Sequence, residues 1–247
     1  PKIKIIIMKK LLFAFFALVS LNLSAQPWKS VKGDGNLKKE SREVSNFTSL
    51  SSHGSIDVQI AYGTSNSIQV EADENLLPYI ETKVENGELI IQPQKNINLK
   101  SRSRMVVYVS MTSINSLSQS GSGNIDGSGA FNNDGKTDIK VSGSGNIKLD
   151  FGTFNDIGLS VSGSGNIDLK GNSTNSIEVS IAGSGNIDCS KVPCNDVDAK
   201  ISGSGNVKVN VEKSITAKIS GSGNVFYKGN ATNIDTKVMG SGKVIKI

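Results

Sequence analysis

The chain has 247 residues, 26 of them Gly, 36 Ser and 24 Asn, while only 36% are hydrophobic and 5% aromatic. So little apolar material excludes a bulky enzyme core and favours many short strands joined by tight turns. Disorder is excluded as well, because 27 basic against 22 acidic residues give a net charge of only +5, and the Gly, Ser and Asn recur at a fixed interval.

Residues 1–25 read as a secretory signal peptide. Met8-Lys9-Lys10 supplies a basic start, Leu11 to Leu21 an apolar run, and Asn22-Leu23-Ser24-Ala25 a small-residue exit, with residues 1–7 preceding the expected start. The apolar run is shorter than the roughly 20 residues of a spanning helix. Lys2, Lys4, Lys9 and Lys10 lie in this segment with no acid, so the chain after it has 23 basic and 22 acidic residues, a net +1. That balance removes the electrostatic case for nucleic acid. No later segment is apolar enough to span a membrane, so no integral membrane segment is expected after cleavage.

Residues 26–49 are expected to form a leader and N-terminal cap, and residues 50–119 irregular coils of the same body as the repeats that follow. Gly54-Ser55-Ile56-Asp57-Val58 and Gly63 to Val70 form a faint copy of the later Gly165-Asn166-Ile167-Asp168-Leu169 and Gly171 to Val179. Glu88 to Ile91 and Met105 to Val109 add strands, set apart by Asn86-Gly87 and the polar stretch Gln94 to Arg104.

From residue 120 to 247 the chain repeats Ser-Gly-Ser-Gly-Asn or a close variant, with first glycines at 121, 143, 163, 183, 203, 221 and 240. Between these signatures apolar residues alternate with period 2, as in Ile157, Leu159, Val161, then Ile167 and Leu169 across the turn. Strand, turn, strand, turn at about 20 residues per coil predicts a single-domain, all-β parallel β-helix, a solenoid whose like residues stack in columns. The glycines supply corner conformations closed to other residues. Asn124, Asn146, Asn166, Asn186, Asn206 and Asn224 form one column, a structural turn ladder with amides about 4.8 Å apart, within hydrogen-bonding reach.

Motifs for chemistry are weak. The Gly-Ser-Gly-Asn turns lead into strands, whereas a phosphate cradle needs a helix N-terminus, so no nucleotide cofactor is expected. Calcium-binding β-rolls use nine-residue repeats with Asp ligands, unlike these 20-residue units with Asn. His53 is the only histidine, which excludes a His-rich metal site, and it sits at the position of a repeat turn. Stacking brings Asp168 over Asp188 and Glu178 over Asp198, near Lys200, Lys218 and Lys237. Such pairs can hold a cation or act as acid and base, although alternate charged positions facing water need no such role. Cys189 and Cys194 are the only cysteines. Either one is a buried hydrophobe and the other a loop thiol, or export permits a local disulfide.

The ordered segments Arg42-Glu43-Val44, Phe47, Ile56-Asp57-Val58, Val70-Glu71-Ala72-Asp73-Glu74-Asn75-Leu76 and Gly87-Glu88-Leu89-Ile90-Ile91, followed by the Ser-Gly-Ser-Gly-Asn-Ile series, resemble the head GIN domain family of autotransporter adhesins, common in Bacteroidota. The resemblance spans most of the chain after residue 25. It implies an exported right-handed β-helix with a role in adhesion. The sequence carries neither stalk nor membrane barrel.

The expectation is therefore a non-enzymatic binding module at the cell surface, outer membrane or periplasm, or released outside the cell, taking a glycan or protein ligand. A carbohydrate-active enzyme on the same fold and an envelope structural or stress-linked protein without external ligand are the alternatives. The C-terminal Val244-Ile245-Lys246-Ile247 lacks an evident cap, which predicts self-association or partner docking through that edge.

Overall fold

A computed structural model describes residues 28–247. The expected signal peptide lies outside them. The first half contributes β1 (Lys29–Lys32), β2 (Leu37–Arg42), β3 (Ser49–Gly54), β4 (Asp57–Tyr62), β5 (Ser67–Asp73), β6 (Ile80–Glu85), β7 (Glu88–Pro93), β8 (Ile97–Lys100) and β9 (Val106–Met111), with a 3-10 turn at Glu74–Tyr79. The second contributes β10 (Ser116–Gly121), β11 (Asn124–Ser128), β12 (Asn133–Gly143), β13 (Asn146–Asp150), β14 (Phe154–Gly163), β15 (Asn166–Lys170) and β16 (Thr174–Gly183). It continues with β17 (Asn186–Gly203), β18 (Val207–Gly221), β19 (Asn224–Lys228), β20 (Asn233–Gly240) and β21 (Lys243–Lys246).

These strands wind a β-solenoid of about 7 turns with coils about 20 residues apart. A short-strand face runs in parallel pairings through β9, β4, β11, β13, β15 and the start of β17, then β18, β19 and β21. A long-strand face runs through β7, β3, β10, β12, β14, β16, the end of β17, the end of β18 and β20. Between the faces, columns of like residues fill the interior. Ile125, Ile147, Ile167, Ile187, Val207 and Val225 form one and Val141, Val161, Ile181, Ile201 and Ile219 another, all buried. Branched aliphatics suit such columns because each repeats its rotamer against the copy one strand spacing away.

The corner between the faces explains the glycine pairs. Gly183 has φ +127°, and a Cβ there would collide with the carbonyl oxygen of Gly163; a Cβ on Gly185 would collide with that of Gly165. The same carbonyl of Gly163 accepts two backbone bonds, from Ser184 N at 2.9 Å and Gly185 N at 3.1 Å. Stacking at strand distance thus forbids a side chain at both glycines. Each coil also bends a second time. Inward positions jump by three residues from Phe154 to Ile157, from Thr174 to Ile177 and from Cys194 to Val197, leaving two adjacent residues outside the core each time.

Residues 50–119, expected as irregular coils, are only partly so. β3, β4, β7 and β9 join the parallel faces, but β5 runs antiparallel to β9 and β2 antiparallel to β5, while β6 and β7 form an antiparallel hairpin. The hairpin follows from Asn86-Gly87, with φ values of 50° and 77°, the left-handed pair that a two-residue β-turn requires. Of the segment 26–49, expected as leader and cap, the described residues supply β1, parallel to β8 in a separate two-stranded sheet, and the edge strand β2. With Leu76 and Leu77 of the 3-10 turn buried, the N-terminal end of the core is covered. At the other end every residue of β20 is exposed.

Candidate functional site

The six ladder asparagines stand one above another. Asn146 Nδ2 donates to Asn124 Oδ1 at 2.8 Å, Asn166 to Asn146 at 2.8 Å, Asn186 to Asn166 at 3.0 Å, Asn206 to Asn186 at 3.1 Å and Asn224 to Asn206 at 3.1 Å. From Asn186 onward the backbone N–H donates to the same oxygen. All amides point one way. At the head, Asp57 Oδ1 accepts both the backbone N–H and the Nδ2 of Asn124, and at the tail Asn224 Oδ1 accepts from the backbone of Lys243. Both ends and every rung of the ladder are thus hydrogen-bonded within the chain. A second, looser polar column at the other bend includes Asn155, Asn175 and Asn195, with Asn195 Nδ2 donating to Asn175 Oδ1 at 3.3 Å.

A concavity lies on the short-strand face. A groove of about 890 Å³ runs from β2, β5 and β9 across β4, β11, β13 and β15 to Lys191 in β17. Eight hydrogen-bonded strands at about 4.8 Å give it a length of about 34 Å. Two outward rows line its floor. One aligns Gln69, Tyr108, Gln59, Asp126, Lys148 and Asp168, and the other Ser67, Ser110, Ala61, Ser128, Asp150, Lys170 and Lys191. Acids and ammonium groups alternate in the first row, from Asp126 through Lys148 to Asp168, while the second ends in Asp150, Lys170 and Lys191, where Lys170 Nζ reaches Asp150 Oδ2 at 2.6 Å. Tyr108 is the aromatic residue of the floor.

Tyr108 is held from the side. Its hydroxyl donates to Glu71 Oε2 at 2.8 Å, Arg104 Nε donates to Glu71 Oε1 at 2.7 Å, and Lys39 Nζ lies 3.4 Å from Oε2 and 4.6 Å from the Tyr108 ring centroid. Glu71 is buried. Burial alone would raise its pKa, but the bonds from Tyr108 and Arg104, with the charges of Arg104 and Lys39, outweigh burial and hold the carboxyl below its ordinary value. The bond to Glu71, then burial, pushes the Tyr108 hydroxyl above its usual range, which keeps it a donor. Ring orientation in the groove is thereby fixed by a charge network beside it.

The carboxylate pairs read from the sequence are brought together. Asp168 neighbours Asp188 and Glu178 neighbours Asp198 in register. Only Asp168 reaches the groove. Asp188 accepts from Ser190 Oγ at 2.6 Å and lies 3.8 Å from Lys208 Nζ. Glu178 sits on the long-strand face between Lys136 at 3.2 Å and Lys200 at 3.9 Å, and its side chain is 56% exposed. Solvent and ammonium partners therefore surround Glu178. Lys218 and Lys237 continue the column of Lys200. His53 closes β3 before Gly54 and heads the column of Ser120.

Among the described residues no three His, Cys, Asp or Glu side chains converge as a metal site. Both cysteines are free and buried. Cys194 is not a loop thiol: it lies within β17, its thiol donating to the carbonyl of Asn210 at 3.3 Å, because the strand continues through the second bend instead of leaving the sheet. Burial pushes its pKa up to about 12 and that of Cys189 well above the ordinary thiol value, so neither is a nucleophile at neutral pH. Gln59, Gln69 and Tyr108 were not singled out in the sequence, since nothing local in Val106-Val107-Tyr108-Val109 marks the tyrosine as part of a groove. The readable signal was the Asn86-Gly87 turn, which shows that parallel coiling does not hold throughout this half.

The fold has solved counterparts. A putative adhesin from Bacteroides fragilis NCTC 9343 superposes with a TM-score of 0.79 at 20% identity, covering 88% of this chain and 100% of that one. A putative lipid binding protein from Parabacteroides distasonis ATCC 8503 gives 0.74 at 24% identity over 89% and 100%. A putative adhesin from Parabacteroides merdae ATCC 43184 gives 0.66 at 24% identity over 89% and 99%. No curated protein matches the chain in sequence. The sequence profile of the family described as "Putative auto-transporter adhesin, head GIN domain" matches residues 46–231, three quarters of the length, which takes in β3 through β19. The chain belongs to that head GIN domain family of putative auto-transporter adhesins.

Proposed function

We propose that this protein is an exported, non-enzymatic binding module of the adhesin type that holds an extended polar ligand, a glycan by preference, along the groove of the short-strand face. The observation carrying this reading is the groove floor, where carboxylates, ammonium groups, amides and hydroxyls alternate at strand spacing beside one clamped aromatic ring. Sugar hydroxyls donate and accept at comparable intervals, and an aromatic face covers their C–H surface. Many weak contacts over about 34 Å can add to useful affinity. Among the described residues no helix is long and apolar enough to cross a membrane.

Residues 28–247 should bind members of an immobilised panel of neutral and acidic oligosaccharides without shortening them. Lys148→Ala combined with Asp126→Ala, both exposed on the groove floor, should weaken that binding at least about tenfold while leaving the thermal midpoint within a few degrees. Release of new reducing ends from a bound polysaccharide would overturn the non-enzymatic reading, and binding indifferent to the double variant would remove the groove from it. Protease treatment of whole cells tests export, with digestion expected for a surface module.

A further inference from the structure

We propose that two copies of this chain join through their last coils, β20 of one pairing antiparallel with β20 of the other about a two-fold axis at Thr236. β20 bonds to β18 along one edge, and among the described residues no strand occupies its other edge. Its inward positions carry core-type residues without a cover: Ile234 is 39% and Val238 38% exposed. An uncovered strand edge above an apolar interior is a template for another strand.

The sequence of β20, Asn-Ile-Asp-Thr-Lys-Val-Met-Gly, is complementary to itself when reversed. Centring an antiparallel pair on Thr236 puts Ile234 opposite Val238 of the second copy and Asp235 opposite Lys237 of the second copy, each twice by symmetry. Apolar residues then meet on the inward side and opposite charges on the outward side. Register shifts by one residue would break both matches. Among the described residues neither Asp235 nor Lys237 has an ion pair or side-chain hydrogen bond within its own chain. Lys237 moreover ends a column with Lys200 and Lys218; Lys200 meets Glu178 and Asp198 within its own chain, and an incoming Asp235 supplies the corresponding acid to Lys237. The first coil offers no equivalent: its edge strand β2 reads Leu-Lys-Lys-Glu-Ser-Arg, and charges of that density block edge pairing. A two-fold, tail-to-tail contact also closes on itself, giving a dimer rather than a fibre.

Sedimentation of residues 28–247 over a wide concentration range tests this. The unaltered chain should reach dimer mass. Asp235→Lys alone and Lys237→Asp alone each place like charges opposite one another twice and should raise the dimer dissociation constant about tenfold. The two together restore opposite charges and should restore the dimer. Circular dichroism checks that all three variants keep the fold, which exposed positions on the last strand permit. A monomer at every concentration overturns the proposal, as does a dimer indifferent to either single change. Failure of the double variant to recover overturns this register.

Discussion

The N-terminal strands 28–119 and the regular coils 120–247 are held together by different means. In the first, each contact is singular: Glu71 gathers Arg104, Lys39 and Tyr108, Asp73 accepts from Ser101 Oγ at 2.9 Å and Arg102 N at 2.8 Å, and β2, β5 and β6 pair antiparallel. In the second, one set of contacts is copied from coil to coil through neutral amides, glycine corners and aliphatic columns. The difference shows where a solenoid can afford variety. Repetition makes a regular stack in which any coil fits its neighbour, whereas the end that must cover the core and shape a groove needs unique partners.

The largest break in the comparison should come from a corner glycine. Gly183→Ala forces a Cβ onto the backbone of Gly163 in an unfavourable φ region, and should cost about 3 kcal/mol or more, measured by urea unfolding. Repetition offers no relief, because the neighbouring coils are equally tight.

A smaller effect separates the halves by pH. Glu71 and Asp73 have folded pKa values below their unfolded ones: burial opposes this, but hydrogen bonds, and at Glu71 nearby cations, prevail. Their contribution is therefore present above the unfolded pKa and is lost as pH falls through the folded value. Stability should decline on acidification below about pH 4, with hydrogen exchange rising first in β2, β5 and β9. Glu71→Gln should cost about 1–2 kcal/mol at neutral pH and flatten that acid slope. The amide ladder does not titrate, so exchange in β13 to β18 should follow pH only through global unfolding.

The smallest expected change is at one rung. Asn186→Ala removes the acceptor of the Asn206 backbone N–H and amide, and should cost about 1 kcal/mol in thermal unfolding without altering the groove. A loss as large as that from the glycine substitution would mean that the ladder, not the corner, governs the stack.

The regular half was legible because its cause is local and repeated. Gly-Ser-Gly-Asn at 20-residue intervals gives the coil, and Ile167, Ile187 and Val207 give the column they form. Even the second bend has a trace, the three-residue jump from Cys194 to Val197, which also explains why Cys194 lies inside the core. The groove was not legible. Its floor joins Gln69 to Tyr108 and Tyr108 to Gln59 through pairings between distant segments, the first antiparallel and the second parallel. Period-2 alternation says which side of a strand faces inward, but not which strand lies beside it. Only the assembled sheet turns these scattered polar residues into a continuous floor.

The one-way amide ladder between Asp57 and Lys243 makes the molecule a ruler with a fixed zero and a movable end mark. Each asparagine presents the same donor upward and the same acceptor downward, so a rung does not record its own number. Whole coils can be gained or lost by duplication or deletion in the gene, each changing the reach by about 4.8 Å, provided the carboxylate that starts the scale and the backbone donor that ends it remain. Length in this fold is thus a heritable quantity that varies in whole steps, independent of what the groove binds.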